Sequence, residues 1–150
     1  MMNLNLLSYQ KDLKITTEDG KRYIYDPIRK RKFVLTPEEM VRQLCIQYLI
    51  QAKNVNINRV NVEKQFMVNG LRKRFDIIVY GTHLEPFLLV ECKAPSVPIS
   101  QKTFDQIGQY NIALRMDYLL VTNGMHSFCC QMDYEKEAFT FLDEIPSFPA

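Results

Sequence analysis

The 150-residue chain reads as an α/β protein, a mixed sheet with helices on its faces. Three observations predict this. A helix start is written at Thr36 to Glu39. Two strands, 72–80 and 87–93, are apolar on both faces, as strands covered from both sides must be. A second helical stretch then leads into another buried strand at 118–122. The predicted order is hairpin, helix, three strands, helix, strand, strand, with an α-β-β-β-α-β middle.

Each element has a local cause. In 12–25, Leu13 to Thr16 and Arg22 to Tyr25 flank Glu18-Asp19-Gly20, which predicts a hairpin. Asp26-Pro27 opens a loop that carries the basic run to Lys32. Thr36 is a good N-cap, Pro37 fits the first helical position, and Glu39 completes a Thr-x-x-Glu capping box. Val41, Leu44, Cys45, Tyr48 and Leu49 then recur at helical spacing, to an end near Lys53-Asn54. Residues 59–68 run into Asn69-Gly70, a strong hairpin signal. Pro95 and Pro98 break the chain, and Ser100 caps a helix over 101–115. Asn123-Gly124 closes the strand 118–122. Residues 127–132 and 138–142 read as edge strands, and 143–150 as an irregular tail. A single domain is expected, with a core of about 33–132.

Composition excludes several classes. With 47% apolar and 24% charged residues, the whole chain is neither disordered, collagenous nor coiled coil. The longest apolar runs are four residues, whereas a spanning helix needs about 20, so no membrane partner is expected. The N-terminal residues lack a basic start and a long apolar stretch, which predicts a cytoplasmic protein. Four cysteines without CxxC spacing read as reduced, buried thiols. His83 and His126 are isolated, so no zinc site is expected. Net charge is only +2, but bases cluster at Lys21 to Lys32 and at Arg72-Lys73-Arg74.

The chemistry concentrates on the two central strands. Side chains alternate faces, so Asp76, Ile78 and Tyr80 share one side of the second strand, and Leu89, Glu91 and Lys93 share a side of the third. In an antiparallel pair, the start of one strand lies beside the end of the next. Two carboxylates and an ammonium are therefore expected to converge at one rim of the sheet. Such a set suits phosphodiester hydrolysis, which needs a metal to offset phosphate charge and supply hydroxide. Magnesium takes one or two carboxylates plus water and phosphate oxygens. Asp76, Glu91 and the backbone carbonyl of Cys92 fit that role, and Lys93 reaches the attacking water or the scissile phosphate. Alone, a Glu-x-Lys at a strand end is usually a solvated charge pair, and Asp76 beside Arg74 a surface ion pair.

In sequence, Arg74-Phe75-Asp76-Ile77-Ile78-Val79-Tyr80 followed by Leu88-Leu89-Val90-Glu91-Cys92-Lys93-Ala94-Pro95 resembles the PD-(D/E)XK nuclease core. More closely, it resembles the N-terminal nuclease region of type I restriction enzyme R subunits. Thr36-Pro37-Glu38-Glu39, Val68-Asn69-Gly70 and Val121-Thr122-Asn123-Gly124 also match that family, over about 33–132. Phe75 stands where the superfamily's name has proline. The resemblance implies a restriction-endonuclease-like fold and magnesium-dependent DNA cleavage, with manganese able to substitute. Asp76 and Glu91 would hold metal and Lys93 would assist hydrolysis. Restriction-system subunits are implied partners, and a double-strand cut favours a homodimer, because one site hydrolyses one strand. No Walker A loop is present in the sequence, so a nuclease module without a motor is expected.

A helical acid often completes this kind of site. Glu38 lies on the predicted buried stripe and is favoured as an outer metal or water ligand; the rival role is stabilising the helix N-terminus. Gln106-x-x-x-Tyr110 resembles the signature of RecB-type nucleases and puts both side chains on one helix face, with Gln109 a less favoured neighbour. Arg72, Lys73 and Arg74 are candidates for DNA backbone contact, since phosphate is met mainly by Lys and Arg. The rival function is a non-catalytic nucleic-acid-binding or assembly module that keeps the fold.

Overall fold

The computed structural model describes residues 2–148, apart from the side chains of Tyr110, Ile112 and Ala113. Six strands form the main sheet: β4 (Val60–Val68), β5 (Leu71–Tyr80), β6 (Pro86–Cys92), β7 (Tyr118–Thr122), β8 (Ser127–Asp133) and β9 (Ala138–Leu142). They lie in chain order, and β6–β7 is parallel while the other neighbours are antiparallel. The sheet is therefore mixed. Helix α1 (Pro37–Gln51) covers one face and α2 (Gln101–Leu114) the other. A separate three-stranded sheet of β1 (Ile15–Glu18), β2 (Lys21–Asp26) and β3 (Arg31–Val34) precedes α1.

The doubly apolar strands are central because each face feeds a different core. Ile77, Val79, Leu88 and Val90 pack with Val41, Leu44, Cys45 and Leu49 of α1. Ile78 and Leu89 pack with Phe104 and Ile107 of α2. Burying each such side chain contributes about 1.5–3 kcal/mol before entropy is counted. All four cysteines are free and buried, as expected.

Thr36 caps α1, its Oγ1 accepting the Glu39 N–H at 3.0 Å. The β4–β5 turn has Asn69 and Gly70 both in the left-handed region (φ 51° and 77°), as a tight two-residue hairpin requires. Gly124 also has positive φ (90°), and a Cβ there would come within 3.3 Å of Val41, so the turn after β7 can rest on α1.

Four details differ from expectation. The basic run does not stay a loop. It folds back as β3, pairing Asp26 with Arg31 and Ile24 with Phe33. Strand β8 is interior, between β7 and β9, so β9 alone of the two is an edge. A 3₁₀ segment, Leu6–Asp12, precedes the first strand and packs on α1. The segment after β9 is irregular but anchored. Ile145 is buried, its carbonyl accepts from Lys53 at 2.7 Å, and Phe148 packs on Phe87.

Candidate active site

The site is made by two strands that part. β5 and β6 pair from Tyr80–Pro86 to Ile77–Val90, with a register shift after Val79, and the pairing stops at Ile77–Val90. β5 continues with β4 into the hairpin, while β6 stays with β7, where the Lys93 N–H donates to Thr122 O at 2.8 Å. The Cys92 N–H points into the gap, and the side chain of Asp76 replaces the missing backbone acceptor, Oδ2 accepting at 2.9 Å.

Strand alternation also breaks here. Phe75 and Ile78, three residues apart, enter the same cluster, while Ile77 enters the other. On β4, Glu63 falls between the Val62–Ile77 and Lys64–Phe75 pairs and has φ 54°. This irregularity frees the Asp76 carboxylate to reach both β6 and α1.

Glu91 meets it from β6. Its carboxyl is mostly buried and lies close enough to Asp76 to feel its charge. Burial, then the Asp76 charge, push its pKa up from 4.5 to about 8; Lys93 opposes and Glu38 adds to the rise. Lys93 Nζ lies 3.8 Å from Glu91 Oε2 and is partly exposed. Asp76, Glu91 and Lys93 thus occupy one corner, as the strand ends predict.

Glu38 is not on the buried side of α1. Its side chain is about half exposed (51%), whereas Glu39 is buried. The helix is enclosed on most sides, from Glu39 through Leu49, so an apolar stripe does not identify one inner face. Glu38 still borders the corner: partial burial and the Asp76 charge raise its pKa, with Arg42 and Lys93 opposing. Glu39, read as a capping-box acid, instead accepts from Arg29 Nη2 and pairs with Arg42 Nη1, each at 2.8 Å.

Arg42 is the residue that sequence reasoning missed. Its Nη2 lies 2.6 Å from Asp76 Oδ1, 3.1 Å from Glu63 and 3.6 Å from Glu38. Burial alone would lower its pKa, but the hydrogen bond and charge of Asp76, then Glu39, raise it. Arg29, from the turn before β3, joins Asp26 at 2.7 Å and Glu63 at 3.4 Å, so the N-terminal sheet is tied to the same network. The signal was the spacing: Glu38, Glu39 and Arg42 are three and four apart, where helical ion pairs form.

Gln106 is exposed on α2 and lines a cleft of about 180 Å³ with Lys73, Arg74, Glu91 and Lys93. Gln109 instead lines a larger cavity, about 510 Å³, bordered by Tyr134 and Phe139. The side chain of Tyr110 lies outside the described residues. Arg74 reaches Glu63 at 3.6 Å, while Arg72 is exposed near the hairpin turn.

Among the described residues, no group of three or more His, Cys, Asp or Glu is arranged to hold a metal ion unaided. The ion-pair network nonetheless gathers six carboxylates (Asp26, Glu38, Glu39, Glu63, Asp76, Glu91) around four cations (Arg29, Arg42, Arg74, Lys93). Of these, Asp76 and Glu91 bring two oxygen donors to one corner, the ligand type that small divalent cations take. No helix among the described residues is long and apolar enough to cross a membrane.

Comparison with known proteins agrees with this architecture. The fold matches a fragment structure assigned as an HsdR subunit of a type I restriction enzyme from Vibrio vulnificus YJ016, at TM-score 0.54 and 20% identity. The match covers 75% of this chain and 24% of that one, so the present chain spans about a quarter of its length. A comparison with curated proteins gives no match. A family model described as type I restriction enzyme R protein N terminus (HSDR_N) matches residues 37–146. That stretch holds α1, all six strands of the main sheet, α2 and the Asp76–Glu91–Lys93 corner, and the chain belongs to this restriction-enzyme R-protein N-terminal family.

Proposed function

We propose that the chain is a divalent-metal-dependent deoxyribonuclease with a PD-(D/E)XK site, working in restriction or defence. The observation that carries this reading is the buried Asp76–Glu91 carboxyl pair at the open end of the β5–β6 gap, with Lys93 beside it. Asp76 and Glu91 would hold magnesium or manganese. The Cys92 carbonyl would join them, because a strand residue directs N–H and C=O to the same neighbour and the Cys92 N–H faces Asp76. Bound there, the cation would offset phosphate charge and acidify water.

The chain's own groups do the rest. Lys93 donates hydrogen bonds to a phosphate oxygen and fixes the line of water attack. Gln106 orients the same phosphate from α2. Glu38, whose pKa is raised, accepts a proton from an ordered water at the rim. Arg72, Lys73 and Arg74 neutralise flanking phosphates. Restriction-system subunits are the proposed partners, and a homodimer would supply a second site for a double-strand cut.

One observation favours a second reading, a DNA-binding module without cleavage: Arg42 already occupies Asp76 Oδ1. Plasmid nicking separates the two. The nuclease should cut with Mg²⁺ or Mn²⁺, stop with EDTA, and lose cutting in Lys93→Ala while DNA binding by anisotropy persists. Binding by the wild type with no cutting under either metal establishes the second reading.

A further inference from the structure

We infer that the β4–β5 hairpin is a DNA-engaging arm whose apolar end, Met67 and Leu71, wedges between base pairs of a duplex held at the Asp76 corner. This deepens the DNA reading above and rests on it.

The hairpin is unusual in charge. From Lys64 to Phe75 it carries four bases (Lys64, Arg72, Lys73, Arg74) and no acid. Its end exposes large apolar side chains on both strands, Met67 at 65% and Leu71 at 60%. In register, Met67 faces Arg72 and Val68 faces Leu71, so the two exposed groups lie on opposite faces of the hairpin end. Val68, on the face of Leu71, is buried in the cluster that holds Phe75 and the α2 side chains. The end is therefore pinned to the core, and its apolar tips are presented on a fixed support.

Charge and area select the occupant. Two apolar side chains fall far short of the roughly 800 Å² per partner of a stable protein interface. A second copy would bring the same four bases and be repelled. Duplex DNA offers phosphates to the bases and a stacked interior to the apolar pair, and Met and Leu are among the side chains that proteins wedge between base steps. The reach also fits. Leu71 is five residue steps from Asp76, about 17 Å of strand, or roughly five base-pair steps of duplex.

The test uses the full chain with Ca²⁺ replacing Mg²⁺, so that DNA is bound uncut, and duplexes carrying single 2-aminopurines at positions numbered from cuts mapped with Mg²⁺. Wild type should brighten the probe about five base pairs from the cut. The Met67→Ser/Leu71→Ser variant should lose that brightening and weaken binding roughly tenfold, with the salt dependence unchanged. Arg72→Gln should keep the brightening and flatten the salt dependence. If the double variant does not fold, Leu71→Ser alone is read in the same way. DNA binding with no brightened position, or equal brightening in wild type and variant, overturns the wedge and leaves the nuclease reading standing. Loss of a self-association in the tip variant, seen by sedimentation, would make a second copy the occupant and overturn the DNA wedge. No salt-sensitive DNA affinity in the wild type overturns both readings.

Discussion

Arg42 Nη2 lies 2.6 Å from Asp76 Oδ1, with the two side chains only 6% and 10% exposed. Removing one member of a buried pair strands the other's charge, typically costing about 3–5 kcal/mol. The two members are not equivalent. Without Asp76, Arg42 keeps Glu39 and Glu63; without Arg42, Asp76 keeps the Cys92 N–H but no cation in hydrogen-bond contact among the described residues. Arg42→Ala should therefore destabilise by about 3–5 kcal/mol, and Asp76→Ala by clearly less. Urea unfolding of both variants decides it, and equal losses would contradict the network described.

Stability should fall with rising pH in metal-free protein. The sign follows from Glu91, whose pKa is about 8 when folded against 4.5 otherwise. The folded state then holds a proton that the unfolded chain releases, so stability is fullest below 4.5 and drains as pH climbs through 8. The slope approaches 1.36 kcal/mol per pH unit for one such proton. Asp76 and Glu38 reinforce the shift and Lys93 opposes it. Thermal melts in EDTA from pH 5 to 9 should show this decline. Glu91→Gln should flatten it, and Mg²⁺ should stabilise more at pH 8 than at pH 6, because binding displaces the proton.

Gln106 is exposed, so Gln106→Ala should leave stability within about 0.5 kcal/mol of wild type. If it orients the phosphate, cleavage should drop roughly tenfold, the worth of one polar contact. A melt and a single-turnover cleavage assay on one preparation separate the two effects. A normal rate would remove Gln106 from the site.

Arg74→Gln should weaken DNA binding on every sequence alike, and lower the slope of log affinity against log salt by about 0.9. Anisotropy titrations over a range of salt concentrations read this. An unchanged slope would place the Arg74 guanidinium, already 3.6 Å from Glu63, off the DNA path.

The sheet was legible where local pattern suffices. The doubly apolar strands and the Asn69-Gly70 turn follow from alternation and turn chemistry, and the strand ends bring Asp76, Glu91 and Lys93 near one another, but the break in alternation that turns Asp76 toward α1 does not show in the sequence. Strand order is a different matter. Nothing local in Phe128 to Met132 says whether β9 lies beyond it, so an interior strand reads as an edge. Arg31 and Lys32 hid β3 because charged residues rarely announce a strand; there, pairing with β2 and ion pairs such as Lys32–Glu18 supply what propensity does not. Arg42 was hidden for a related reason. An arginine in an amphipathic helix ordinarily extends to water, and only the tertiary arrangement of Glu63 and Asp76 turns it inward.

Arg29 belongs to the turn before β3, upstream of Pro37, where the family match begins. The limit set by similarity and the limit set by electrostatics therefore fall at different places. A protein shortened to start at Pro37 would leave Glu39 enclosed with one guanidinium instead of two, and would strip cover from a helix that is enclosed on most sides. Expression trials that follow the similarity limit would then report a fragile, aggregation-prone product, a symptom of where the chain was cut.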